Sequence, residues 1–228
     1  MASQAKEFKK GIHRKQPLTL GVRVLLILLV WCVQMLYVPT SHRTFGGIEP
    51  KLPIDNFPTR PVWVLPYVLC YPLWLTGAVW AIFKMPDRLF RSMVSAFLLT
   101  CTISVSIYIL FPTYVKTASL KATDFFSSLL RSIYKNDGRY NAFPSGHVYI
   151  TTLLALFYNR WYPRYKAWWI SIPVIISLST LYTHQHFIVD ILGGVVVALI
   201  GYYFGLFLEG FDPLLQQTRN FLKPRSSK

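Results

Sequence analysis

The stretch HFIVDILGGVVVALIGYYFGLFL, residues 186–208, decides the fold. After Asp190 it carries no charge. As a helix it covers the roughly 30 Å hydrocarbon core of a bilayer, which takes about 20 residues at about 1.5 Å each. A helix apolar all round has no face to turn to water, so it belongs in lipid or deep in a bundle. Working outward, five more apolar runs have the same character: residues 20–38, 62–83, 90–111, 146–161 and 167–183. Pro66, Pro72 and Pro173 fall inside two of them and predict kinks, which membrane helices tolerate when neighbours satisfy the freed carbonyls. Pro112 closes the third run. The expected fold class is all-α: a six-transmembrane-helix bundle in which the long polar segment 112–145 is an external loop that caps the candidate site.

Composition agrees. Only 14% of the 228 residues are charged, against about 25% in soluble domains, and 53% are hydrophobic. Together with a mean hydropathy of +0.38, this excludes a disordered chain, a coiled coil and a secreted disulfide scaffold. The formal net charge of +15 would point towards nucleic acid in a soluble protein. Here the basic residues cluster between apolar runs, where they fix topology and meet anionic headgroups. The expected partners are the bilayer and a lipid substrate, with no nucleic acid. Cys32, Cys70 and Cys101 all lie in apolar stretches and read as packing residues.

Charge also sets orientation. Lys6, Lys9, Lys10, Arg14 and Lys15 precede the first run, and no small-residue cleavage pattern follows it, so it reads as a retained signal anchor. With the N-terminus inside, sixteen Lys and Arg fall on the cytoplasmic side and eight on the other. That bias predicts cytoplasmic tails, 1–19 and 210–228, around one membrane domain, 20–209. Five of the eight outer cations, Lys116, Lys121, Arg131, Lys135 and Arg139, sit in the one long loop.

The loop ends in Pro144-Ser145-Gly146-His147, just before the fourth run. The sixth run opens with His186, and Asp190 follows four residues on. The topology therefore brings His147, His186 and the loop cations to one membrane face. A helix N-terminus offers free N–H groups and partial positive charge, which suits a phosphoryl group. Ser145 adds a hydroxyl, and Gly146 lets the chain turn tightly. His186 and Asp190 share one helix face at i, i+4 spacing. A carboxylate there is expected to take the Nδ1 proton of His186 and leave Nε2 free to attack phosphorus.

These segments, NAFPSGH (residues 141–147) and STLYTHQHFIVDILGG (residues 179–194), resemble the type 2 phosphatidic acid phosphatase superfamily. More narrowly, they are similar to its inositol phosphorylceramide synthase-like branch. The resemblance implies that His186 is the nucleophile and forms a phosphohistidine, with Asp190 orienting it. It implies that His147 protonates the leaving alkoxide, and that Ser145 and Gly146 donate to phosphate oxygens. The phosphatases carry Ser-Arg six residues before the histidine; here Ser179 is followed by Thr180. FPTYVK, residues 111–116, resembles instead the Phe-Pro-Thr element of the synthase-like branch, with Lys116 as the accompanying cation. Lys135 and Arg139 are further phosphate-binding candidates, because Asn136-Asp137-Gly138 is a turn signal that folds them back over the site. Gln185 also fits the synthase-like branch.

Neither a zinc-spaced His/Cys cluster nor a magnesium-type carboxylate group stands out, so no metal or other cofactor is expected. Three readings remain at this stage. One is a membrane phosphatase hydrolysing lipid phosphate esters. The second is a phospholipid headgroup phosphotransferase. The third is a non-catalytic lipid-binding protein that keeps the fold. A transporter fits less well, since the polar groups gather at one face and not at mid-membrane.

Overall fold

A computed structural model describes residues 16–44 and 46–210. The tail cations assigned above to the cytoplasm, from Lys6 to Lys15 and from Arg219 to Lys228, lie outside the described residues. Among those described, the chain is helical and forms no strands, as the apolar runs predict. In order it forms α1 (Leu20–Met35), a short α2 (Val38–Ser41), α3 (Val64–Lys84), α4 (Asp87–Leu110), α5 (Phe125–Asn136), α6 (Gly146–Trp161), α7 (Lys166–Tyr182) and α8 (Ile188–Leu208). Single 3-10 turns, Pro61–Trp63 and Pro163–Tyr165, lead into α3 and α7.

Four segments are long and apolar enough to cross a membrane: Leu20–Ser41, Pro61–Lys84, Asp87–Leu110 and Ile188–Leu208. The runs at 146–161 and 167–183 form α6 and α7, of 16 and 17 residues. By length and composition, therefore, four helices rather than six meet the requirement. Pro72 and Pro173 are accommodated inside α3 and α7. The carbonyls of Pro72 and Pro173 accept bonds from Thr76 and Ser177, four residues on in each helix, at 2.8 and 2.7 Å.

Packing is closest between α4 and α8, and the glycines of α8 explain why. A Cβ on Gly201 would overlap the Thr100 hydroxyl, and one on Gly205 would overlap the Ser92 carbonyl. Two small residues one turn apart let the helix backbones touch, the usual route to tight association where lipid removes the hydrophobic drive. Around this seam Phe90, Met93, Tyr149, Leu153, Phe157 and Leu206 form the buried core. α6 runs through the middle, against α3, α4, α7 and α8.

Arg23 belongs to this packing. Its guanidinium is buried and donates to the carbonyls of Ala81, Ile82 and Met85 at 3.1, 2.9 and 2.7 Å. It also pairs with Asp87 and lies 4.7 Å over the Phe90 ring. A cation on the orphan carbonyls of a helix end complements the macrodipole. This residue, counted above with the topology-setting charges, thus fastens α1 to the α3–α4 corner.

The opposite end of the bundle is built differently. The C-termini of α1, α4 and α7 and the N-termini of α3, α6 and α8 meet there, so these six helices alternate in direction. The segment 111–145 lies at this end. Isolated bridges pair Ile48 with Thr113 and Tyr114 with Tyr140. Asp124 caps α5, accepting from the Ser127 N–H at 3.1 Å and its hydroxyl at 2.6 Å. The Tyr134 hydroxyl then donates to the Thr183 carbonyl at 2.6 Å, tying α5 to the α7–α8 connection.

Candidate active site

His147 and His186 converge at this end. Their ring centroids are 6.0 Å apart. His147 occupies the first turn of α6, and His186 stands two residues before α8. Several local devices fix them. The Ser145 N–H donates to the Asp190 carbonyl at 3.0 Å, and the Tyr108 hydroxyl donates to the Pro144 carbonyl at 2.6 Å. A Cβ on Gly193 would overlap the Phe143 ring, and one on Gly194 would come within 2.9 Å of the Ser145 carbonyl. The two glycines thus let residues 143–145 lie directly on α8.

His186 is buried, and its Nδ1 lies 2.9 Å from the Ala142 carbonyl oxygen. A carbonyl can only accept, so Nδ1 carries the hydrogen and Nε2 of the neutral ring keeps its lone pair. The expected partner, Asp190, is 3.6 Å from Nδ1. Asp190 Oδ2 accepts the Phe187 N–H at 2.8 Å and so organises the first turn of α8. A second acid, Asp55, reaches the same helix start from the α2–α3 loop and accepts the Ile188 N–H at 2.9 Å.

His147 packs against aromatic rings of α3. Tyr67 lies 4.2 Å away by centroid, Trp74 5.5 Å and Tyr71 5.7 Å. The Tyr71 hydroxyl is 3.2 Å from His147 Nε2. Ser145 Oγ, at the N-cap of α6, and Asp190 Oδ1 are buried with no hydrogen-bond partner, as are Gln185 Nε2 and side-chain oxygens of Ser92, Ser104, Thr152 and Asn159.

Among the described residues, none of the three predicted cations is bonded to either histidine. The Lys116 ammonium pairs with Glu49 at 2.8 Å, and its side chain is 71% exposed. Lys135 and Arg139 are exposed, and among the described residues no hydrogen bond or ion pair joins either to the histidines. The Asn136-Asp137-Gly138 turn does fold back towards the site, but it delivers a carboxylate. Asp137 Oδ2 accepts from the Tyr67 hydroxyl at 2.6 Å and lies 3.5 Å from the Tyr71 hydroxyl. Burial pushes this carboxyl above its usual range, against the opposing pull of Tyr67, Tyr71, His186 and His42. In the sequence Asp137 stands out only as part of a turn. The tyrosines at i, i+4 in α3, Tyr67 and Tyr71, were a legible polar pair inside an apolar run.

Helices that alternate in direction, four of them fit to span a bilayer, deliver two imidazoles and a helix N-terminus to one end of the bundle. That arrangement defines a helical membrane protein with a histidine-pair site. The model of the PAP2 superfamily matches residues 60–204, well over half of the chain, so the chain belongs to that superfamily. Its members are in general phosphatases and phosphotransferases. No curated protein matches the chain. The match includes His147, His186, Asp190, Tyr67, Tyr71 and Asp137, and leaves out α1.

Proposed function

We propose that this protein is a membrane enzyme that hydrolyses lipid phosphate esters through a phosphohistidine on His186, without a metal. The observation that carries the reading is the 6.0 Å approach of the two imidazoles at the N-terminus of α6. In the first step Nε2 of His186 attacks phosphorus, the bond to the lipid alkoxide breaks, and His147 gives that alkoxide a proton. Water, deprotonated by His147, then takes the phosphoryl group from His186. The Ser145 hydroxyl and the free N–H groups of the first turn of α6 serve the phosphate oxygens. Lys116, Lys135 and Arg139 act at headgroup level and not on phosphorus. Asp190 holds His186 through the helix start and supplies negative charge 3.6 Å from its Nδ1 as the ring becomes cationic. All six long apolar runs cross the membrane in this reading, both tails are cytoplasmic, and segment 111–145 covers the site from outside.

A second reading, transfer of the phosphoryl-bearing group to a lipid alcohol, has its own support. Thr180 stands where the phosphatases have arginine, and it is wholly buried, with its hydroxyl donated to the Ser177 carbonyl at 2.8 Å. That position therefore contributes no cation to the site. Lipid-phosphate turnover by purified protein tests both readings. His186→Ala and His147→Ala should each lose at least about 100-fold in rate, the lower range for removing an acid–base group. Vanadate, which mimics five-coordinate phosphorus, should inhibit, and EDTA should not. Equal rates in wild type and His186→Ala, or activity abolished by EDTA, would overturn the proposal.

A further inference from the structure

The carboxylate of Asp137 is fixed at the histidine pair from three directions. Its own N–H caps α5 through the Ile133 carbonyl at 2.9 Å. The next residue, Gly138, has φ +76°, and a Cβ there would overlap the Ser41 carbonyl, so the turn is clamped against α2. Tyr67 holds Oδ2 at 2.6 Å. Tyr71 bridges outward, 3.5 Å from Asp137 Oδ2 and 3.2 Å from His147 Nε2. The carboxylate therefore stands within two hydrogen-bond lengths of an imidazole that faces the reacting phosphorus.

Tyr67 and Tyr71 of α3 reach it directly, and the charges of His186 and of His42, which follows α2, act on it. Only the two histidines among these can carry positive charge. Lys135 and Arg139 flank it in sequence with exposed side chains. Asp190, fully buried beside His186, adds a second acid. A phosphate monoester carries nearly two negative charges near neutral pH, with a second pKa of about 6. A phosphodiester carries one. Repulsion from a fixed carboxylate scales with the substrate's charge and is poorly screened in a half-buried site. The same carboxylate can accept a hydrogen bond from a headgroup hydroxyl or ammonium, which a monoester lacks.

We propose that Asp137 is a specificity-determining residue that disfavours doubly charged lipid monoesters and favours phosphodiester lipids whose headgroup carries a hydroxyl or ammonium. The inference rests on the reading that the histidine pair handles phosphorus. The test compares single-turnover diacylglycerol release from two probes in detergent micelles at pH 8. One is a diacylglycerol phosphate; the other is the same diacylglycerol esterified through phosphate to glycerol. Both give one product, and the first half-reaction needs no acceptor alcohol. Wild type should favour the diester. Asp137→Asn should move the diester-to-monoester ratio of kcat/KM towards the monoester by at least about tenfold, the scale of one charge in a partly buried site. Asp137→Glu, which keeps the charge, should hold the wild-type preference. A merely structural defect would lower both rates and leave the ratio alone. An unchanged ratio in Asp137→Asn, or a wild-type preference for the monoester, would overturn the proposal while leaving the histidine chemistry standing. Release from neither probe by wild type would overturn both.

Discussion

His186 takes its tautomer from a backbone carbonyl. The proton on Nδ1 is held by Ala142, so the loop just before Pro144 leaves Nε2 with its lone pair, while Asp190 secures the helix start. The sequence displayed the two imidazoles and the acid, because His147 and His186 stand in short motifs of recognisable spacing. It could not display Ala142, whose side chain is irrelevant, nor the pairing of Lys116 with Glu49 across the chain. Asp137 was hidden differently: Asp-Gly is so common in turns that the carboxylate passed as conformational. Its titration yields a test of its own. Desolvation raises this carboxyl in the folded protein, although Tyr67, Tyr71, His186 and His42 pull the other way. The folded state therefore binds the proton more tightly than the unfolded chain does. This contribution is fully present below the unfolded value, about 3.9, and is lost as pH rises through the folded one. Detergent-solubilised wild type should lose Tm relative to Asp137→Asn as pH climbs above about 4. Parallel Tm curves would show that Asp137 is not desolvated as described.

At the scale of elements, α8 is the organising helix. Its first turn carries His186's anchor, its next turn uses Gly193 and Gly194 to seat residues 143–145, and its last turns use Gly201 and Gly205 against α4. Apolar periodicity made the helix plain, but which glycines face a neighbour depends on helix rotation, which the alternation of small and large residues only suggests. Two substitutions separate a packing glycine from an idle one. Gly205→Ala should destabilise by about 1–3 kcal/mol, since its Cβ meets the Ser92 carbonyl, a group that cannot turn aside. Gly21→Ala, in α1 with nothing within 4 Å of the new Cβ, should be neutral or stabilising by up to about 1 kcal/mol. Thermal unfolding in detergent reads both; a Gly205→Ala protein as stable as Gly21→Ala would contradict the α4–α8 seam.

Across the whole molecule, two ends have different work. One end is tied by Arg23 to the α3–α4 corner, a packing role for a residue that counted only as charge in the sequence. The other gathers three helix N-termini, the long segment and both histidines. The direction of travel of each apolar run predicted which residues would meet there, because an alternating bundle returns every second helix start to one face. Span number was less legible: α6 and α7 are short, and hydropathy does not distinguish a short crossing from a buried helix. What the architecture exists to do, on this account, is to let His186 carry phosphorus. The most direct test is to mix the purified protein with a 32P-labelled lipid phosphate, quench in base within milliseconds, and look for label on the protein. A phosphoramidate on His186 should appear, survive base, fall away in acid and be absent from His186→Ala. Turnover of the same lipid with no labelled protein at any time, or label that persists in His186→Ala, would contradict the account.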